Sequence, residues 1–157
     1  MLQMRAKLFA LESKEVGWKE RGVGTLRVNV PKSCASYDDN GMPVPGSFDA
    51  SGLEDEEADG PLVARLIMRQ ENTHRVILNT TIIPALKFED KPSASTAQIL
   101  FTAFEGEGKP KPVNMLLKVC QGYKFYLELN ANHIQMSEAN ARLFRSEVDS
   151  IQRELGS

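Results

Sequence analysis

Trp18-Lys19-Glu20-Arg21-Gly22-Val23-Gly24 leads directly into Thr25-Leu26-Arg27-Val28-Asn29-Val30. The second half alternates: Leu26, Val28 and Val30 fall on one side, Arg27 and Asn29 on the other. Period two with one apolar side predicts a half-buried antiparallel strand over 25–30, stopped by Pro31. The first half holds the only tryptophan, two cations and two glycines. It reads as the end of a polar connection, 13–24, whose glycines allow a tight entry into the strand. Arginine suits forked bonds to carboxylates and lysine supplies a mobile point charge, so Lys19 and Arg21 are candidate contacts for an acidic partner. A lone tryptophan such as Trp18 is more often a packing anchor.

The same alternation recurs on both sides of this stretch. Residues 5–12 read as a first strand. Residues 62–69 place Leu62, Ala64, Leu66 and Met68 on one face and Arg65 and Arg69 on the other. A β-branched run over 75–83 is stopped by Pro84; 86–89 is a short strand; 97–105 and 113–119 are longer ones. Seven strands with turn-rich joins predict a β-sandwich or partly open barrel. At the end the period changes. Ala141, Phe144, Val148, Ile151 and Leu155 recur at three and four residues, which predicts an amphipathic helix. Ser137 is placed to cap its start, with Glu138 beside the positive end of the dipole, and Gly156 to end it.

The chain's 157 residues fit one domain, taken as 5–155. No apolar run is long enough for a membrane helix, and the start lacks a signal-peptide core. Cys34 and Cys120 are far apart, as idle thiols would be. Residues 38–60 carry eight acids and no Lys or Arg; removing those charges from the net −2 leaves +6 on the rest. A basic body with an acidic loop insertion over 33–60 suggests an acidic partner. The loop reads either as a screen for the partner site or as a solvated insertion.

An enzyme is not indicated. His74 and His133 are distant in sequence, no metal-ligand spacing occurs, and Gly22-Val23-Gly24 precedes a strand where a nucleotide loop would precede a helix. A pI near 5.8 argues against nucleic acid as the partner.

Lys7-Leu8-Phe9, Trp18–Gly24 and Thr25-Leu26-Arg27-Val28 together resemble the opening of Ran-binding domains. Leu66-Ile67-Met68-Arg69-Gln70-Glu71 resembles the family's next signature. Val76-Ile77-Leu78-Asn79 and Pro112-Val113-Asn114-Met115-Leu116-Leu117-Lys118-Val119 look most like the subtype in mobile nuclear-basket nucleoporins. The resemblance implies a mainly β, PH-like sandwich or partly open barrel capped by a C-terminal helix. It implies a non-enzymatic module that grips the GTP form of Ran, in places with transport receptors in a ternary complex, at the nuclear pore and envelope. It implies no cofactor or metal of its own, the GTP being carried by the partner, and no membrane insertion.

Trp18, Lys19, Glu20, Arg21, Gly22 and Gly24 would then contribute to the partner-facing surface, with Arg65, Arg69 and Arg75 forming a basic patch. A PH-like module for phosphoinositide or peptide is the alternative. Two departures stand out. The acidic run and the repeat segments that precede such domains in the family do not precede this one, so pore docking is not carried over. Residues 120–135 form an atypical insertion. A retained intron would account for it; in a genuine segment Phe125, Leu127 and Leu129 alternate and would add a strand.

Overall fold

The structure is a computed structural model. It describes residues 3–51 except Pro43 and Pro45, then 63–91, 97–119 except Glu107, and 130–156, with side chains in the last stretch from 139. Seven strands form one antiparallel sheet in the order β4-β3-β2-β1-β7-β6-β5: β1 Gln3–Ser13, β2 Gly17–Asn29, β3 Arg65–Gln70, β4 Val76–Thr81, β5 Phe88–Lys91, β6 Gln98–Glu105 and β7 Lys111–Val119. One helix, α1 Asn130–Gly156, follows.

Alternation explains how the sheet hides one face. Met4, Ala6, Leu8 and Ala10 of β1 are buried, and register places Ala6 opposite Gly24 and Leu8 opposite Leu117. Leu26 and Val28 of β2, Leu66 and Met68 of β3, Ile99 and Phe101 of β6, and Met115 and Leu117 of β7 continue this inner face. The sheet is curled but not closed. Strands β4 and β5 do not pair; instead the Phe104 N–H of β6 donates to the Thr80 hydroxyl of β4 (3.2 Å). The partly open architecture expected from the sequence is the one found.

Helix α1 fills the inner face with Phe144, Val148 and Ile151, all fully buried, and with Ala141. Phe144 meets Phe88 edge-on at 5.6 Å, and Phe88 stacks on Phe101 at 5.5 Å. The Gln152 amide donates to the carbonyls of Ile83 and Leu86, satisfying the turn before β5.

Three expectations are corrected. Strand β2 begins at Gly17, eight residues before the alternation at Thr25, so Trp18–Gly24 lies within a strand. The helix begins at Asn130, so Ser137 is an interior residue and cannot cap; no glycine or proline separates the two positions, and the helix propagates through them. The acidic loop is not solvated throughout. Its first part is anchored by Cys34 and Phe48 in the core, and by the Asp49 N–H donating to the Cys34 carbonyl (2.8 Å). Burial pushes the Cys34 thiol up, as befits an inert side chain. Residues 52–60 of the loop, and 120–129 with the suggested extra strand, lie outside the described residues; 130–135 form the opening turns of α1.

Candidate functional site

A β-bulge governs where the tryptophan stretch points. Leu8 pairs with Gly22 but Phe9 pairs with Glu20, so Arg21 is the extra residue on β2. Gly22 takes φ +149, a conformation that favours glycine. The bulge reverses the parity of everything before it. Trp18 and Glu20 lie opposite Leu11 and Phe9, on the outer face. Lys19 lies opposite Ala10, and its ammonium reaches the Glu12 carboxylate at 3.4 Å.

Arg21 turns toward the open seam of the sheet. Its guanidinium donates to both carboxylate oxygens of Glu105 on β6 (2.5 and 2.9 Å) and to the Ile77 carbonyl on β4 (3.3 Å). Both side chains are largely buried, at 32% and 27% exposure. A forked, partly desolvated pair of this kind is a strong contact. It fastens the two strands that the ladder leaves unpaired.

Gly24 sets a second constraint. A Cβ there would stand 1.8 Å from the Arg69 carbonyl oxygen and 2.7 Å from its carbon. Only glycine lets β3 approach β2 here, so the residue that ends the motif also positions Arg69.

The outer face carries the cations. Arg69 pairs with Thr25, which pairs with Arg5; Arg65 pairs with Asn29; Arg27 pairs with Ile67; Lys7 pairs with Lys118. These six side chains therefore share one face across β3, β2, β1 and β7. Their surroundings differ. Arg5 is bound to Glu71 through Nε and Nη2 (2.5 and 3.2 Å), and this bond holds the Glu71 carboxyl below its ordinary range. Lys7 lies 3.5 Å from Glu20, and the Lys118 ammonium stands 4.9 Å from the Phe9 ring. Arg65 and Arg69 rest on uncharged acceptors, the Asn79 side-chain oxygen and the His74 carbonyl, both at 3.1 Å. Among the described residues neither forms an ion pair, so their charge is not neutralised locally.

Arg65 and Arg69 thus share a face, as strand parity implies, but Lys19 and Arg21 do not join them. Arg75 is exposed in the β3–β4 turn, where its carbonyl accepts from the Gln70 N–H (2.8 Å). Trp18 is 40% exposed near the β1–β2 turn. The bulge is the reason for the separation, and it leaves no trace in the alternation. Arg27, Lys7 and Lys118 could have been found by the parity rule that found Arg65 and Arg69. Glu105, 84 residues from Arg21, offers no local signal. No group of three or more His, Cys, Asp or Glu among the described residues could hold a metal ion.

Similarity to known proteins agrees with this architecture. No family model matches the sequence. The chain is 41% identical over 155 residues to the nucleoporin NUP56 of Chaetomium thermophilum, covering 99% of this chain and 25% of that protein. It is 32% identical over 108 residues to Ran-binding protein 3 of Mus musculus, covering 69% of this chain and 17% of that protein. The chain therefore spans a quarter or less of these relatives. The crystal structure of the Ran-binding domain of Nup2 from Ashbya gossypii superposes with a TM-score of 0.59 at 19% identity, over 98% of this chain and 94% of that one. In fold and in sequence the chain belongs to the Ran-binding domains, in the branch carried by nucleoporins.

Proposed function

We propose that this chain is a binding module for the small GTPase Ran in nucleocytoplasmic transport, and that it selects the GTP form. The observation that carries this reading is the cationic outer face, with Arg65 and Arg69 on β3 at one end and Arg27, Arg5, Lys7 and Lys118 extending it across β2, β1 and β7. Such a face suits an acidic, extended segment. Selection then follows if the partner releases that segment in one nucleotide state only, because the module stabilises whichever state offers it. No catalytic role is assigned to the chain; the nucleotide stays with the partner. Association with transport receptors in a ternary complex, and residence at the nuclear pore, belong to the same proposal.

In this reading Arg21 shapes the surface from inside and the arginines of β3 make the contacts. The experiment loads Ran with a non-hydrolysable GTP analogue or with GDP, with and without its acidic tail, and compares affinities by calorimetry. Tight binding is expected only for the GTP-analogue form with the tail present. Equal affinity for both nucleotide states would reject the proposal.

A further inference from the structure

The cationic outer face carries a carboxylate of its own, and the β-bulge is what puts it there. With Arg21 as the extra residue, Glu20 faces outward opposite Phe9. Without the bulge Lys19 and Arg21 would face outward and Glu20 would not. The side chains around Glu20 are closely set. Phe9 lies between Glu20 of β2 and Leu116 of β7. Two residues back along β1, Lys7 pairs directly with Lys118. The Lys118 ammonium stands over the Phe9 ring at 4.9 Å, and the Lys7 ammonium lies 3.5 Å from the Glu20 carboxylate.

Like charges directly opposite each other across a ladder are unfavourable, so Lys7 and Lys118 favour an anion beside them. Glu20 supplies it in the free domain. It does so loosely: the side chains of Lys7 and Glu20 are 41% and 49% exposed and meet at 3.5 Å. A pair of that kind contributes little and exchanges partners readily. Arg5 and Glu71 differ. Their forked contact, at 2.5 and 3.2 Å, commits Arg5 to Glu71. Arg65 and Arg69 rest on uncharged acceptors. The face thus holds charges that are open at Arg65 and Arg69, closed at Arg5 and exchangeable at Lys7.

We propose that Glu20 is an internal competitor for the acidic ligand of the outer face: it occupies Lys7 in the free domain and gives way when an incoming carboxylate reaches Lys7 and Lys118. This rests on the reading of the outer face as the site of an acidic segment, and makes Glu20 a specificity-determining residue within it. An incoming carboxylate gains Lys7 only by displacing another carboxylate. An isolated acid therefore gains little at this end of the face, whereas a run of acids also engages Lys118 and displaces Glu20.

The test is a double-mutant cycle on the whole chain, with Glu20→Gln, Lys7→Gln and both together, at half-exposed positions where folding is little affected. Affinity is measured by calorimetry for a synthetic peptide ending in a run of aspartates and for Ran loaded with a GTP analogue. Glu20→Gln is expected to tighten binding about threefold. Lys7→Gln should weaken it about twofold in the parent and about sixfold beside Glu20→Gln, because the gain acts through Lys7. A Glu20→Gln gain that persists in full beside Lys7→Gln would be a general effect of net charge and would overturn the proposal. So would the absence of a gain, or a loss, which would make Glu20 a contact of the partner. If the peptide shows the coupling and Ran binds no variant, the Ran assignment fails and the competition stands. Ran binding without the coupling overturns the competition alone, and binding of neither ligand overturns both.

Discussion

Arg21 on β2 and Glu105 on β6 hold together two parts of the sheet that no ladder joins. The same guanidinium reaches the Ile77 carbonyl of β4, so three strands converge on one side chain. Removing either partner leaves the other's charge partly desolvated. Arg21→Ala and Glu105→Ala are each expected to lower stability by about 1–3 kcal/mol in urea unfolding. The double variant should cost little more than either single one. If Arg21 instead acts mainly through direct contact with a partner, Arg21→Ala will weaken Ran binding and Glu105→Ala will not.

Much of the fold is legible because period two is robust wherever one face is buried. Leu26 and Val28, Leu66 and Met68, and Ile99 and Phe101 disclose their strands without help from the rest of the chain. Trp18–Gly24 is not legible in the same way. Its charges and glycines imitate a connection, and the bulge at Arg21 is fixed by pairing with β1, which is a tertiary fact. Parity without the bulge puts Lys19 and Arg21 on the face of Val23 and Thr25. The cationic site was half visible for the same reason. Arg65 and Arg69 follow from alternation within one strand, whereas their association with Lys7 and Lys118 requires strand order. The early start of α1 is not legible because polar Ser137 interrupts the apolar stripe ahead of Ala141.

Gly24 gives a sharper test of the motif than its charged members. With the Arg69 carbonyl 1.8 Å from the position of a Cβ, Gly24→Ala must push β3 outward. Backbone on both sides leaves no flexible side chain to yield, so a cost of about 1–3 kcal/mol is expected. Amide exchange should quicken along β2 and β3, at Leu26, Met68 and Gln70 first. Unchanged protection there would mean that the close approach is not held in solution.

The cationic face should govern association more than dissociation. Arg65→Glu and Arg69→Glu remove charges that no local carboxylate offsets, while an exposed charge pair contributes only about 0.2–1 kcal/mol. The double variant is expected to slow association with Ran by roughly tenfold and to flatten its dependence on salt. Thermal unfolding should barely change, since both side chains rest on uncharged acceptors. Binding that is insensitive to ionic strength in the parent protein would remove the basis for this expectation.

The Arg5–Glu71 pair carries a pH signature. Its folded-state carboxyl lies below the ordinary value of 4.5, held there first by the hydrogen bond from Arg5. A depressed carboxyl contributes stability above its unfolded value and loses it as pH falls through the folded value. Glu71→Gln should therefore lower stability slightly at neutral pH, and its difference from the parent should shrink as pH falls below 4.5. In a carboxyl titration by NMR, Arg5→Gln should move the Glu71 midpoint upward. A midpoint already at 4.5 in the parent would show the pair to be broken in solution.

Adjacent positions on α1 separate the helix's two duties. Phe144 is fully buried and meets Phe88, which in turn stacks on Phe101, so the ring joins the helix to β5 and β6. Leu143 is 56% exposed and leaves its surface to solvent. Phe144→Ala would open a cavity under the helix, with an expected loss of about 3–5 kcal/mol, enough to unfold a marginal domain. Leu143→Ala should stay within about 0.5 kcal/mol of the parent. A partial outcome is informative too: if Phe144→Ala keeps the sheet's amide protection and loses only that of α1, then the sheet stands without its plug. If both variants unfold the chain equally, the stripe is wrongly placed and the helix packs through another face.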